Sequence, residues 1–239
     1  MSLEENEVRK TYDRLAGSYN DLIDHKPHNA YYDRPNTLSL LPGNLEGKHI
    51  LDAACGPGKY AEELIKKGAI ITGFDLSPKM IDFAKVRNPK AGSFFVHSLT
   101  EPFTMIENET FDHIVCALAL EYVENWSLTM QEFHRVLKQN GTLVISITHP
   151  FFDFNFFKSK DYFQTEKVKC TWTGFNEPIE MKSIRRSLTD CITPFVQNGF
   201  LIDQLLEPKP TLEMKELDPR HYEELIKFPS FLCIRAIKR

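Results

Sequence analysis

The stretch Ile50-Leu51-Asp52-Ala53-Ala54-Cys55-Gly56-Pro57-Gly58-Lys59-Tyr60 decides the fold. It begins inside a short apolar run, His49 to Ala53, whose length and composition predict a buried strand. The run breaks at Gly56-Pro57-Gly58, a turn that no regular element continues through. Lys59 to Lys67 then has helical spacing and stops at Gly68, a residue suited to a helix C-terminal cap. A strand that turns sharply into a helix delivers its last residues to the carboxyl edge of an open α/β sheet, where such sheets bind ligands. Gly56 and Gly58 remove β-carbons that would hold a ligand off the backbone. Asp52 sets a carboxylate beside that opening.

Reading outward, Ala69 to Phe74 is a second apolar strand, and Ser77-Pro78 opens a helix through Lys85 with serine as cap. Asp75 stands 19 positions after Gly56. An acidic residue at that place accepts hydrogen bonds from both hydroxyls of a ribose. The residues therefore predict a site for a ribose-bearing, nucleotide-like cofactor. Ser93 to His97 is a third strand, and Phe111 to Leu118, continuously apolar, is a fourth strand buried on both faces. Ser127 to Lys138 is helical, closed by Asn140-Gly141, and Thr142 to Thr148 is a fifth strand. Strands alternating with helices require right-handed crossovers, hence a parallel sheet with helices on both faces. After a helix from Ser187 to Asn198, ended by Gly199, come two more strands, Phe200 to Leu206 and Phe231 to Ile237. A helix near His221 to Ile226 lies between them, and the two strands suit an antiparallel pair at the sheet edge.

Two segments stand outside this alternation. At the start, Ser2 and Glu5 match a capping box. Val8, Tyr12, Leu15, Tyr19 and Leu22 then recur on one helical face. Lys26 to Gly43 holds three prolines around Leu38, Leu40 and Leu41, which predicts a short second helix between turns. Pro150 to roughly Lys182 is aromatic-rich and aperiodic, an insertion after the fifth strand. The organisation expected is one domain over 1–239, with an N-terminal helical cap at 1–45 and an inserted substrate cap at 150–185.

Composition narrows the class. The 239 residues suit one large domain, and 42% hydrophobic with 26% charged residues is ordinary for a globular chain. A net charge of -4 and a pI near 6.1 disfavour nucleic-acid binding by bulk electrostatics. Five cysteines without a Cys-x-x-Cys pair predict reduced, packing thiols and no metal site. The longest apolar run, Ile114 to Leu120, is too short to span a bilayer. The polar, acidic start Met1 to Asn6 is unlike a signal or transit peptide, so a cytoplasmic location is expected.

The order and spacing of these pieces resemble the class I S-adenosylmethionine-dependent methyltransferases, in the small-molecule group often called type 11. The resemblance runs from Tyr12 to the C-terminus. It rests on Leu51 to Gly58, Gly73 to Met80, Phe111-Asp112-His113-Ile114-Val115, Arg135-Val136-Leu137-Lys138 before Gly141, and His149-Pro150. Gly199-Phe200-Leu201-Ile202 with Glu207-Pro208, and Pro229-Ser230-Phe231-Leu232, extend it. It implies a Rossmann-like, seven-stranded, mostly parallel sheet with an antiparallel last strand. It also implies methyl transfer from S-adenosylmethionine to a small molecule. By the same resemblance Asp52, Ala53, Ala54, Cys55, Gly56 and Gly58 form the loop under the methionine part of the cofactor. Asp52 favours the ammonium group there, and Asp75 holds the ribose hydroxyls. Leu76 and Met80 pack near the adenine, Ser98 and Leu99 lie at its amine, and Ala117 and Leu118 face the sulfonium. Tyr12 and Tyr19 resemble aromatic positions that close over the cofactor.

Three positions depart from the family pattern. Ala54 stands where the first loop glycine is usual, Ser98 where an aspartate is usual, and Glu121 where a histidine is frequent. For proton removal His149 is the expected base, since it ends the fifth strand and imidazole titrates near neutrality. Glu121 reads as a solvated loop carboxylate. Seven phenylalanines between Phe151 and Phe175 suit an apolar or flat acceptor, or equally the insertion's own core. Two rival readings remain. A nicotinamide-dependent oxidoreductase wants a Gly-x-Gly-x-x-Gly loop, which Ala54 to Ala61 does not supply. A cofactor-binding sensor without turnover shares every feature above.

Overall fold

The computed structural model describes residues 3–90 and 92–239, with side chains from residue 5 onward. Ser2, half of the expected capping box, lies outside them. Helix α1 (Leu3–Leu22) is followed by a π-helical turn (His28–Asp33) and α2 (Arg34–Ser39). The single short helix expected between Lys26 and Gly43 is thus two helical pieces of different winding, with Pro35 opening the second.

Alternation then begins with β1 (His49–Ala53), α3 (Lys59–Ile65), β2 (Ile70–Asp75), α4 (Pro78–Arg87), β3 (Ser93–Val96) and β4 (Phe111–Ala117). Ser77 caps α4 by accepting the Met80 N–H at 3.2 Å. A short 3-10 turn (Leu120–Tyr122) leads to α5 (Trp126–Val136) and β5 (Leu137–Thr148). The helix stops at Val136, short of the expected Lys138. Asn140 and Gly141 fall inside the irregular start of β5, where its pairing with β4 shifts register between Phe111 and His113.

The insertion is more regular than its sequence suggested. It contains α6 (Pro150–Phe156) and an antiparallel hairpin of β6 (Glu166–Trp172) and β7 (Ile179–Arg185). Along β6, Val168, Cys170 and Trp172 turn inward while Lys167, Lys169 and Thr171 are exposed, the two-residue period of a half-buried strand. Phe175, Ile179 and Met181 pack with Leu15, Tyr12 and Tyr19 of α1, so the hairpin sits against the N-terminal helix. The chain ends with α7 (Leu188–Gln197), β8 (Phe200–Leu206), α8 (Leu212–Leu217), α9 (Pro219–Leu225) and β9 (Phe231–Lys238).

The main sheet has seven strands in the order β3-β2-β1-β4-β5-β9-β8. Pairs from β3 to β5 are parallel, and β9 runs antiparallel to both β5 and β8. The last strand therefore lies inside the sheet, and β8 is the edge. Successive residues bury on opposite faces: Leu51, Ile114 and Leu143 on one, Ile50, Val115 and Val144 on the other. Both faces are covered, so these strands read as unbroken apolar runs. Among the described residues no helix is long and apolar enough to cross a membrane. Adjacent parallel strands β1, β2 and β4 bring their carboxyl ends to one edge, and the site forms there.

Candidate active site

β1 ends by placing Asp52 at the sheet edge, and the chain turns through 54–58 into α3. Ala54, at φ 58°, holds a left-handed conformation that costs a residue with a β-carbon about 1–2 kcal/mol. The methyl group at this position is therefore strained, and the loop is held by other bonds. Cys55 donates its N–H to Phe74 O at 2.8 Å, tying the loop to β2. Gly56 donates its N–H to Asp75 Oδ2 at 2.9 Å. A β-carbon built on Gly56 would meet no atom within 4 Å, so the loop faces open space there.

Gly58 has a different reason. A β-carbon at Gly58 would come within 2.5 Å of the Asn88 amide, which itself donates to Gly58 O at 2.9 Å. Its missing side chain serves the packing of loop against α4, and Gly58 does not line the cavity.

Two carboxylates define the electrostatics. Asp52 is 2% exposed, and its Oδ2 accepts the Ala61 N–H at 3.1 Å. It thereby caps α3, whose own N-cap residue, Gly58, has no side chain to do so. Burial pushes the Asp52 carboxyl up to about 7, against the ordinary 3.8, and the charge of Asp75 adds to that. Asp75 accepts the Ser77 N–H at 2.8 Å on Oδ1 and the Gly56 N–H on Oδ2. Burial lifts it to about 6, moderated by those backbone donors. Among the described residues neither carboxylate forms an ion pair.

A cavity of about 130 Å³ opens over this edge. Asp52, Ala54, Cys55 and Gly56 line it from β1 and its loop, and Asp75, Leu76 and Met80 from β2 and α4. Ser98 and Leu99 after β3, Ala117 and Leu118 ending β4, and Tyr12 and Tyr19 of α1 complete the expected set. Leu118, like Ala54, is left-handed at φ 50°. Ala53 is fully buried within the sheet and does not reach the cavity.

The expected base is elsewhere. His149 caps α6: its Nδ1 accepts the Phe151 N–H at 3.2 Å, which leaves the proton on Nε2, facing Glu207 Oε1 at 3.2 Å. Both ring nitrogens are engaged, burial lowers its pKa, and the ring does not line the cavity. The solvated reading of Glu121 also fails. Glu121 is 7% exposed, and its Oε1 accepts the Thr148 N–H at 3.2 Å while Oε2 is buried without a partner. Burial raises it to about 8, and it faces a small void shared with Asp153 and Arg186.

Several cavity residues are not among those expected at the site. Glu5 and Val8 come from α1, Asn29, Asp33 and Arg34 from the turn before α2, and Tyr122 from the turn after β4. Tyr60 donates its hydroxyl to Asp33 Oδ2 at 2.5 Å. Tyr12 donates to the Tyr122 hydroxyl at 3.0 Å. Val8 and Tyr122 also line a second opening of about 600 Å³ between α1 and the hairpin.

Buried carboxylates without cationic partners, beside a backbone stripped of side chains, fit a ligand that carries both a ribose and positive charge. The family description "Methyltransferase domain" matches residues 51–145, the stretch from β1 to β5 that builds this cavity. The chain carries a methyltransferase domain in the fold of the class I S-adenosylmethionine-dependent enzymes. A Haemophilus influenzae protein of uncharacterized function is 28% identical over 231 residues, covering 88% of each chain. The ubiquinone biosynthesis O-methyltransferase of Histophilus somni is 29% identical over 154 residues, 61% of this methyltransferase and 64% of that one. Among solved structures, an S-adenosylmethionine dependent methyltransferase from Mesorhizobium loti superposes with a TM-score of 0.70 at 22% identity. The match covers 90% of this methyltransferase and 100% of that chain. The cofactor of this methyltransferase is S-adenosylmethionine, and its reaction is methyl transfer.

Proposed function

We propose that the methyl acceptor is a small molecule that reaches the cofactor from the groove between α1 and the β6–β7 hairpin. One observation carries the reading: Val8 and Tyr122 line both the cofactor cavity and the groove, so the two spaces meet at the Tyr12–Tyr122 pair. The groove has an apolar floor of Val8, Val168, Met181 and Ile184, and Lys10, Lys167 and Lys169 at its rim. That combination suits an acceptor with an apolar body.

When bound, S-adenosylmethionine supplies a methyl group already made electrophilic by its sulfonium. The protein's part is to orient and to exclude water. Asp75 takes the ribose hydroxyls, and Asp52 faces the ammonium group. Leu76 and Met80 pack along the adenine, Ala117 and Leu118 border the reacting centre, and Tyr12 and Tyr19 close the cavity from α1. Burial holds the Tyr12 and Tyr122 hydroxyls neutral, so that they act as hydrogen-bonding groups toward the acceptor. His149 keeps its place as the cap of α6.

The test is methyl transfer from labelled S-adenosylmethionine to a panel of small phenols, amines and carboxylic acids, run beside nucleic acid and protein. Label in a small molecule is the expected outcome. Label confined to nucleic acid or protein contradicts the reading.

A further inference from the structure

The groove between α1 and the hairpin has a charge opposite to that of the molecule around it. The chain carries a net charge of -4, yet the groove is lined by twice as many lysines as glutamates. Lys10 comes from α1, Lys167 and Lys169 from β6, and Lys182 from β7, against Glu7 and Glu180. Three of these lysines meet carboxylates: Lys182 meets Glu7 at 2.8 Å, Lys169 meets Glu180 at 3.0 Å, and Lys167 meets Glu124 at 3.4 Å. Lys10 forms no ion pair among the described residues. Its neighbour one helical turn back, Glu7, is held low chiefly by its hydrogen bond to Lys182, and Lys10 adds least to that. Thr11, next to it, has given its hydroxyl proton to Glu7 O at 3.0 Å. Lys10 is the cation left over at the rim of an apolar trough.

The cofactor cavity has the reverse character. Glu5, Asp33, Asp52 and Asp75 line it, together with Arg34 and Lys59. Lys59 is already held by Asp24, Glu62 and Glu63. The two spaces meet at Tyr122, so one continuous space is acidic at the cofactor end and basic at the hairpin end. An anionic group is favoured at the hairpin end and disfavoured at the other. Val8, Val168, Met181 and Ile184 give the length between them an apolar floor.

We infer that the acceptor is an amphipathic anion. Its apolar body lies along the groove floor, and its anionic head group sits on Lys10, at the end away from the methylated atom. Lys10 is then a specificity-determining residue that does not line the cofactor cavity. The inference rests on the groove reading above and deepens it, since it gives the acceptor a charge and a direction.

Three eight-carbon probes that differ only in their head group test it: octanoate, octan-1-ol and octylammonium, titrated by calorimetry at neutral pH and low salt. The wild type binds octanoate about tenfold more tightly than the alcohol, and the ammonium compound least. Added salt narrows that preference, because an exposed charge is screened. Lys10→Glu erases the preference, while binding of the alcohol and of S-adenosylhomocysteine stays within about twofold. Val168→Asp, on the groove floor, weakens binding of the alcohol. A wild type without the preference, or a preference that survives Lys10→Glu, overturns the inference; the groove reading stands if Val168→Asp still weakens the alcohol. Probe binding that is absent, or indifferent to Val168→Asp, overturns the groove reading, and this inference falls with it.

Discussion

The two sides of the cavity are held in different ways. On the cofactor side, backbone N–H groups grip the carboxylates: Gly56 and Ser77 on Asp75, Ala61 on Asp52. On the acceptor side, exposed side chains join hairpin to helix, with Arg14 to Glu177 at 2.6 Å and Lys182 to Glu7 at 2.8 Å. Exposed pairs of this kind contribute little to stability and are screened by salt. Arg185, 0% exposed, holds the insertion together from within by donating to Glu166 and to the carbonyls of Asp161, Tyr162 and Gln164, while Arg186 donates across to the carbonyls of Val123 and Glu124. One side is held by backbone donors around fixed carboxylates; the other rests on an apolar cluster of Leu15, Phe175, Ile179 and Met181 with exposed ion pairs around it. The contrast suits a reaction whose donor is invariant and whose acceptor must enter and leave.

Asp75→Ala strikes the rigid side hardest. On the proposed ribose role, two hydrogen bonds to a charged group are lost, and the Gly56 and Ser77 N–H groups lose their acceptor. Hydrogen bonds to charged groups contribute about 1.5–3 kcal/mol each, so affinity for S-adenosylhomocysteine falls at least about a hundredfold by calorimetry. Retained affinity would show that the ribose lies elsewhere. Arg185→Ala strikes the other side. It frees the insertion, so limited proteolysis cuts within 157–185 and methyl transfer falls sharply. Cofactor affinity stays within about twofold, because the backbone donors on Asp52 and Asp75 are untouched. A parallel loss of cofactor binding would mean that the two sides are one cooperative unit.

A pH series sharpens the comparison further. The folded-state values of Asp52 and Asp75, about 7 and about 6, lie above the ordinary 3.8. The native protein therefore binds more protons than the unfolded chain in that window. Their contribution to ligand-free stability is full below about pH 4 and is lost as pH rises through 6 and 7. A cationic cofactor selects the ionised forms. Its affinity is expected to weaken about tenfold from about pH 8 to about pH 6, while the ligand-free melting temperature rises. A flat affinity profile would show that Asp52 does not face the cation. The smallest effect belongs to Ala54→Gly. Relieving the left-handed alanine raises unfolding stability by about 1 kcal/mol in denaturant titration, with cofactor affinity unchanged. No gain would mean that the loop stores no strain at that position.

Local pattern explains what could be read in advance. The β1 loop and Asp75 belong to contiguous strand–turn–helix units, whose residue types report their own geometry, and all of these but Ala53 and Gly58 line the cavity. Those two exceptions are residues whose small size serves packing against neighbours distant in sequence. The hairpin is not in the sequence reading: Glu166 to Trp172 alternates, but the run of phenylalanines before it masks the period. His149 was misjudged because position at a strand end says nothing about which backbone N–H its ring will accept. Glu121 was misjudged because the burial that raises it comes from Trp126, Ile184 and Cys191, brought in by other elements. The contact of Ser98 with Glu5, across 93 positions of sequence, had no local signal at all.

The most direct test is a crystal structure of the protein with S-adenosylhomocysteine. The ribose hydroxyls are expected on the Asp75 carboxylate, the amino-acid end beside Asp52 and Gly56, and the base between Met80 and Leu99. Density for the compound in the groove beyond Tyr122, with the edge of β1 and β2 empty, would contradict it.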